Sequence, residues 1–480
     1  MDEDKLRKNI VKILICFSIA FLSLIVYLTY FEVSSGEKVA SSVYNKRNKD
    51  KENQILRGSI YDRDGDLIVE SVRNKDNTQK RVYKQGYEKP YAPVLGYYSS
   101  KYGTTGIEEA YSSQLLDADM LNPLKIIKDI ATSADRKGNN LVLTIDSTLQ
   151  KKAYDALEDN KGAVVAMNPK TGEILCMVSK PIFNPATIDE DWDKISKQDK
   201  EAPLLNRATQ PQVYPPGSIF KVIVASEALE NISGIESKTF KCNGGLKINN
   251  YTLYDYSKRG HGNIDIHEGL VKSCNVTFGQ IGIELGADRL KSGAEDFLFN
   301  KDLNKEIPDF LLPISKSKFP DLSGKGDEAL AQSAIGQYTV TATPFQMMLV
   351  ASTFANGGKM MKPYIVKSIV DIYGMNVSTS KSQVLTEPIK KETADTVKNM
   401  MVDVVKRGTG TNAKISGISV AGKTGTAEVG NDLPSHSWFI GFGPSDDADI
   451  AIAVILENGE AKGRNAALVA GEIMSSYLKR

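Results

Sequence analysis

A serine and a lysine three positions apart stand in the stretch VYPPGSIFKV, residues 213–222. Positions i and i+3 share a helix face, so Lys221 projects beside the Ser218 hydroxyl. A serine hydroxyl is a poor nucleophile and needs an adjacent base. Lysine ordinarily titrates at about 10.4. Burial or a second cation lowers that value and makes the amine usable as a base. Pro215 and Pro216 disfavour helix just before the serine, and Gly217 permits a tight turn. Ser218 is therefore expected in the first turn of a helix, SIFKVIVASEALE. Backbone N–H groups and the positive dipole end at that helix start favour negative charge on an attacked carbonyl oxygen.

The spacing alone is weak. Ser35/Lys38, Ser315/Lys318, Ser378/Lys381 and Ser476/Lys479 repeat it, and an ordinary helix-capping serine is the bland alternative. Context separates Ser218 from these, and two further motifs strengthen it. Ser273-Cys274-Asn275 supplies a second hydroxyl and an amide, able to shuttle a proton and hold a carbonyl. Lys423-Thr424-Gly425-Thr426 lies in a β-prone run. There the lysine supplies charge, the threonine hydroxyls suit a carboxylate, and Gly425 lets a substrate backbone approach. Lys170-Thr171-Gly172 spells the same triplet but falls in a hairpin turn ahead of Ser218.

The elements that must position these residues are an α/β (α+β) set. GAVVAMNPKTGEILCMVS (162–179) is a hairpin around an Asn-Pro-Lys-Thr-Gly turn. A long, mainly helical stretch is expected over 218–410. Three late strands follow, ISVAGKTGTAEV (418–429), SWFIGFGP (437–444) and DIAIAVILE (449–457), with a closing helix over 465–479. The economical fold is one five-stranded, mostly antiparallel sheet flanked by helices, with an inserted helical subdomain and a cleft between helices and sheet. Upstream, LVLTIDSTLQKKAYDALEDN predicts a strand and a helix, and RGSIYDRDGDLIVES (57–71) places a turn between two β-prone runs. The expected division is a cytoplasmic tail 1–12, a transmembrane helix 13–31, an N-terminal pedestal domain 32–140 that includes a polar stalk at 41–54, and a catalytic domain 141–480.

Among 480 residues, 60 basic side chains face 59 acidic ones, so no electrostatic case for a nucleic-acid partner exists. Residues 13–31 carry no charge over 19 positions. As a helix they span roughly 28 Å, about one hydrocarbon core. Lys5, Arg7, Lys8 and Lys12 precede this run, so the short end should stay cytoplasmic and the rest lie outside. No clean cleavage site follows the run, which favours an uncleaved single-pass anchor over a signal peptide. Cys16 falls in that anchor, leaving Cys176, Cys242 and Cys274 outside. An odd number in so large a domain argues against a disulfide scaffold. His261 and His267 lie between Cys242 and Cys274, with Asp255 close by. These are zinc ligand types, yet their spacing fits no standard motif, so a polar loop with two buried thiols is preferred and no cofactor is expected. Structural roles are expected for 353–363 and for the Gly/Thr loop 407–413. Met347, Met348, Met360 and Met361 suit core filler, and Trp438 should pack beside the Lys423 strand.

The order Ser-x-x-Lys, Ser-x-Asn, Lys-Thr-Gly is the motif set of penicillin-binding proteins and serine β-lactamases. The chain resembles the class B penicillin-binding proteins along nearly its whole length. The resemblance rests on the anchor, RGSIYDRDG, LVLTIDSTLQ, GAVVAMNPKTGEIL, NRATQPQVYPPGSIFK, KSCN, TPFQMMLVASTFANGG, VAGKTGTAE and HSWFIGF. The short N-terminal domain looks most like that of the smaller, PbpA-like members. Ile219, where many members carry threonine, and Cys274 depart from the pattern without removing a reacting group. The resemblance implies a peptidoglycan D,D-transpeptidase. Ser218 would attack the carbonyl between two terminal D-alanines, Lys221 would take its proton, and the Ser218 and Thr426 N–H groups would hold the oxyanion. Ser273 and Lys423 would help protonate the leaving D-alanine, Asn275 would orient Lys221 and the peptide, and Thr424 and Thr426 would hold the terminal carboxylate. The amine of a second stem peptide would accept the acyl group, β-lactams would acylate Ser218 and stall, and a membrane glycan polymerase would be the partner. A D,D-carboxypeptidase, a serine β-lactamase and a non-catalytic wall-assembly scaffold are the alternatives. A β-lactam sensor would need a signalling device that about 12 cytoplasmic residues cannot supply.

Overall fold

The computed structural model describes residues 3–31, 55–75, 78–116, 137–198, 200–210, 214–430, 433–459 and 465–480. The stalk expected at 41–54 lies outside these residues. Helix α1 (Glu3–Phe31) runs through the apolar segment, and its span Asn9–Phe31 is long and apolar enough to cross a membrane.

The N-terminal region contributes strands β1 (Ile60–Tyr61), β2 (Leu67–Arg73) and β3 (Gln79–Tyr83), followed by helix α2 (Gly106–Ala110). Asp62 makes the turn after β1, its Oδ1 accepting the N–H groups of Asp64 and Asp66. Strand β4 (Asn140–Leu143) pairs in parallel with β1 and feeds helix α3 (Ser147–Ala156), capped by the Asp146 carboxylate on the Leu149 N–H. The expected hairpin follows as β5 (Gly162–Met167) and β6 (Ile174–Lys180).

Between residues 218 and 410 the chain is less helical than its sequence suggests. Helix α4 (Lys221–Asn231) is followed by four short strands, β7 (Phe240–Cys242), β8 (Gly245–Ile248), β9 (Tyr251–Tyr254) and β10 (Gly262–Ile264). They pair as β8–β9 and β7–β10. Helices α5 (Asn275–Asp296) and α6 (Pro344–Ala355) come next, then strands β11 (Val366–Val370) and β12 (Asn376–Thr379), then helix α7 (Lys391–Arg407). Helix α6 ends at Asn356-Gly357 as its composition predicts, with Gly357 at φ +59°. Two- to four-residue strands carry too little alternation to stand out from a polar loop, which is why the sequence hides them.

Strands β13 (Ala421–Ala427), β14 (His436–Gly443) and β15 (Ile450–Leu456) complete the principal sheet, and helix α8 (Ala466–Leu478) closes the chain. That sheet has the order β13-β14-β15-β5-β6 and is antiparallel throughout. Both faces of its central strands are covered. Val164, Ala166, Ile452 and Val454 pack with α3 and α8, whereas Ala163, Val165, Ala451 and Ala453 pack with α6. This period-2 division makes β5 and β15 near-continuous apolar runs. A second sheet, ordered β12-β11-β4-β1-β2-β3, draws strands from both sides of residue 140 and so ties the N-terminal region to the rest.

One charged cluster is buried within the N-terminal region. Glu108 receives Arg57 Nε at 2.6 Å and Arg81 Nε at 2.8 Å, and both ion pairs are almost fully buried. Burial pushes the Glu108 carboxyl up, but the two guanidinium groups outweigh it and hold it below its ordinary range. Removing the carboxylate strands two buried cations. Glu108→Ala is expected to cost about 3–5 kcal/mol, seen as an early transition in thermal unfolding of the full chain. An unchanged unfolding profile would contradict a buried triad that depends on its anion.

Candidate active site

Ser218 lies in a short 3-10 turn, Gly217–Phe220, and α4 begins only at Lys221. The turn that the sequence places inside an α-helix is thus tighter than expected. Its position is fixed from several sides. Gly217 takes φ +56°, and a Cβ there would come within 2.6 Å of the Thr426 carbonyl oxygen. The Gly217 N–H donates to Gly336 O at 2.9 Å. Gly336 takes φ +71°, and a Cβ there would come within 2.3 Å of Gly217 O. Only glycine satisfies both demands. Trp438 packs beside β13 as expected, and its Nε1–H donates to Pro215 O at 3.1 Å.

The second motif occupies a break between helices. Residues Ile266–Val271 end in a left-handed closure, with Ser273 at φ +58° and the Cys274 N–H donating to Gly269 O at 2.8 Å. A non-glycine residue there costs about 1–3 kcal/mol, so the Ser273 backbone is strained. Cys274 then caps α5, its Sγ accepting from the Thr277 N–H. The Asn275 N–H donates to Asp255 Oδ1, and Asn275 Nδ2 donates to Tyr254 O at 2.9 Å. The second bond orients the amide, so its Oδ1 faces Lys221.

At the floor of the site the motifs converge. Lys221 Nζ donates to Ser273 O at 2.7 Å and to Asn275 Oδ1 at 2.8 Å, and lies 3.5 Å from Ser273 Oγ. Lys423 Nζ donates to Ser273 Oγ and to Thr424 O, each at 2.8 Å. Both lysines are fully buried. The close contacts of Lys221 are thus to the second motif; among the described residues no hydrogen bond joins it to Ser218. The two acceptors match the two N–H bonds of a neutral amine and leave its lone pair uncommitted. Burial lowers the Lys221 amine to about 8, against the raising influence of Cys274 and Asp255. Burial first, and the Lys221 charge second, push Lys423 well below its ordinary value.

Above this floor runs a groove of about 1150 Å³, lined among others by Ser218, Ser273, Asn275, Thr424, Gly425 and Thr426. All eight residues singled out from sequence therefore meet at one place. Thr409 and Tyr254 escaped notice, and Asp255 stood out only as a metal-ligand type. Thr409 lines the groove and shares a 2.6 Å hydrogen bond with Thr424, so the 407–413 loop reaches the site instead of serving only as structure. Tyr254 and Asp255 hold Asn275 through bonds that no local pattern announces. Cys242, Asp255, His261 and Cys274 place one possible ligand atom each within 4.8 Å of one another. His267 instead meets Asp403 at 3.0 Å, away from that cluster.

Fold and site together define a serine acyl-transfer enzyme of the penicillin-binding type. Residues 162–475 match the penicillin binding protein transpeptidase domain family, and residues 57–141 match the penicillin binding protein A dimerisation domain family. The peptidoglycan D,D-transpeptidase PbpA of Mycolicibacterium smegmatis is 33% identical over 92% of this chain and 93% of its own. The peptidoglycan D,D-transpeptidase MrdA of Acinetobacter baumannii is 30% identical over 83% of this chain and 60% of its own. Among solved structures, the imipenem acyl-enzyme of penicillin-binding protein A from M. tuberculosis superposes with a TM-score of 0.82 at 30% identity, covering 89% of this chain and all of that one. The chain belongs to the penicillin-binding protein transpeptidase family.

The Lys221 geometry fixes a pH response. A base lowered by burial must lose its proton before it can accept one, so activity is expected to rise as pH rises. Acylation by a reporter penicillin should climb through a midpoint of about 8. A rate that stays flat through that region and climbs only toward the ordinary lysine value would contradict a base made by burial.

Proposed function

We propose that this chain is a peptidoglycan D,D-transpeptidase that cross-links stem peptides through an acyl-Ser218 intermediate. The observation that carries the reading is the convergence of two buried lysine amines on the Ser273 hydroxyl, beneath the groove that Ser218 lines. Lys221 takes the Ser218 proton as the oxygen attacks the carbonyl between the two terminal D-alanines. Backbone N–H groups of Ser218 and Thr426 hold the resulting oxyanion, which fits the close approach of Gly217 to Thr426. The C–N bond then breaks, and the departing amine receives a proton relayed from Lys221 through Ser273, with Lys423 holding the Ser273 oxygen. Asn275 orients Lys221 and the peptide. Thr424 and Thr426, with Gly425 between them giving room, hold the terminal carboxylate. A second stem's amine attacks the ester, returns a proton to Ser218 and forms the cross-link. β-Lactams enter the first half of this cycle as covalent inhibitors.

The candidate span Asn9–Phe31, with basic residues before it, supports a single-pass membrane anchor with a short cytoplasmic tail and the catalytic domain outside. The proposed division keeps residues 32–140 as a pedestal and 141–480 as the catalytic domain. A membrane glycan polymerase is the proposed partner, docked on the pedestal.

The Cys242, Asp255, His261 and Cys274 cluster supports one zinc ion in a structural role. Two thiols, an imidazole and a carboxylate are a complete tetrahedral donor set. Cys242 Sγ already lies 2.8 Å from Asp255 Oδ2, and His261 Nδ1 lies 3.3 Å from the same oxygen. Burial raises the Cys274 thiol to about 12, so a metal ion would have to displace its proton on binding. Such an ion would staple the ends of β7 and β9 to the residue between Ser273 and Asn275.

A fluorescent penicillin should label the wild-type chain persistently and leave Ser218→Ala unlabelled. Label retained by Ser218→Ala would end the acyl-serine reading, and label lost within minutes would indicate a β-lactamase. Elemental analysis of the purified chain is expected to find about one zinc per chain, lost in Cys242→Ser. Wild-type protein without zinc, prepared with no chelator, would end the metal assignment.

A further inference from the structure

Cross-linking requires a second substrate, and the motif residues account only for the first. The acceptor is a primary amine, and an alkyl amine with a pKa of about 10 arrives at neutral pH as an ammonium ion. A groove that admits it gains from an uncommitted negative charge near the acyl-serine.

Among the described residues two carboxylates line the groove, those of Asp255 and Glu428. Asp255 is 3% exposed, and its oxygens already face Cys242, Cys274, His261 and the Asn275 N–H. Glu428 is exposed, and among the described residues no hydrogen bond or ion pair engages it. Its position follows from the strand. Thr424, Thr426 and Glu428 alternate along β13 and its extension, and alternate residues share a face. All three line the groove. Tyr251 also lines it, and Glu428 is the first charge, after burial, that raises the Tyr251 hydroxyl's pKa. The lysines of the groove wall, Lys258 and Lys272, repel an ammonium ion. Lys258 sits over the Tyr254 ring and Lys272 lies 3.8 Å from Glu268.

We propose that Glu428 is the docking residue for the acceptor ammonium, placed along β13 from the threonines that hold the donor carboxylate. This rests on the transpeptidase reading above and names the residue that selects an amine over water in its second half. Once docked, the ammonium ion releases one proton to solvent. Its nitrogen then bonds to the ester carbonyl carbon, the bond to Ser218 Oγ breaks, and the second amine proton returns to that oxygen through Lys221. Charge, atoms and electron pairs balance with no further reactant.

β-Lactam acylation needs no acceptor, so it separates the two halves of the reaction. The test uses the full-length chain in detergent, a thioester donor ending in a D-alanine analogue, and a tripeptide acceptor with a free side-chain amine. In Glu428→Gln the ratio of aminolysis to hydrolysis of the acyl-enzyme should fall about tenfold, equivalent to about 1.4 kcal/mol of lost acceptor binding. The acceptor KM should rise, while penicillin acylation stays within about twofold of wild type. Glu428→Asp should recover much of the ratio. An unchanged ratio in Glu428→Gln overturns the proposal. So does an equal loss of penicillin acylation, because that marks a structural role. A wild-type chain that the donor does not acylate overturns the transpeptidase reading itself, and the docking role with it.

Discussion

Two lysine amines buried against one serine hydroxyl are the constraint that the rest of the structure serves. Taking an ammonium group out of water costs several kcal/mol, and two of them side by side also repel. Among the described residues no carboxylate pairs with either one directly. The fold supplies neutral acceptors instead: Ser273 O, Asn275 Oδ1, Ser273 Oγ and Thr424 O. Those dipoles hold the amines in place without restoring their affinity for protons. The lowering of Lys221 to about 8 corresponds to a destabilised charged form on the order of 3 kcal/mol. The result is a weaker base, but one whose proton is lost far closer to neutral pH than that of an exposed lysine.

Holding this arrangement demands contributions from distant parts of the chain. The turn carrying Ser218 is wedged between Gly336 and the Thr426 carbonyl, so that small residues on three segments let backbone meet backbone. The segment carrying Ser273 bears a strained left-handed residue and is anchored from behind by Tyr254 and Asp255. The strand carrying Lys423 lies at one edge of the principal sheet, and its outer edge faces the groove. Farther back, Tyr214 OH and Arg207 Nε both meet Glu457 Oε1, at 2.7 Å and 2.9 Å, and steady the chain that leads to Pro215. The Arg57–Glu108–Arg81 cluster holds segments of the N-terminal region to one another.

Much of this was legible from residue types. Ser218, Lys221, Ser273, Asn275 and Lys423 announce themselves because nucleophile, base and proton carrier need particular side chains. The hairpin β5–β6 and the strands β13–β15 show through their continuous apolar runs. What the sequence concealed depends on long-range geometry. Gly336 has no local signature, since its constraint is a carbonyl 119 positions earlier. Asp255 stands out in the sequence only as a metal-ligand type, and its buried bond to the Asn275 N–H, 20 positions on, has no local signature. The four short strands between Phe240 and Ile264 were hidden in a region that reads as helical. Even the Ser218–Lys221 pairing, correct in spacing, misled in detail. The amine's close partners come from the second motif, and a 3-10 turn replaces the expected first turn of α-helix.

The most direct measurement is the titration of the Lys221 side chain itself, followed by NMR of selectively labelled lysine in the full-length chain and assigned by comparison with Lys221→Arg. Burial among neutral acceptors requires its resonance to move with a midpoint of about 8. A midpoint at the ordinary lysine value of about 10.4 would mean that burial does not weaken the amine's hold on its proton, and the account of the site built on it would be wrong.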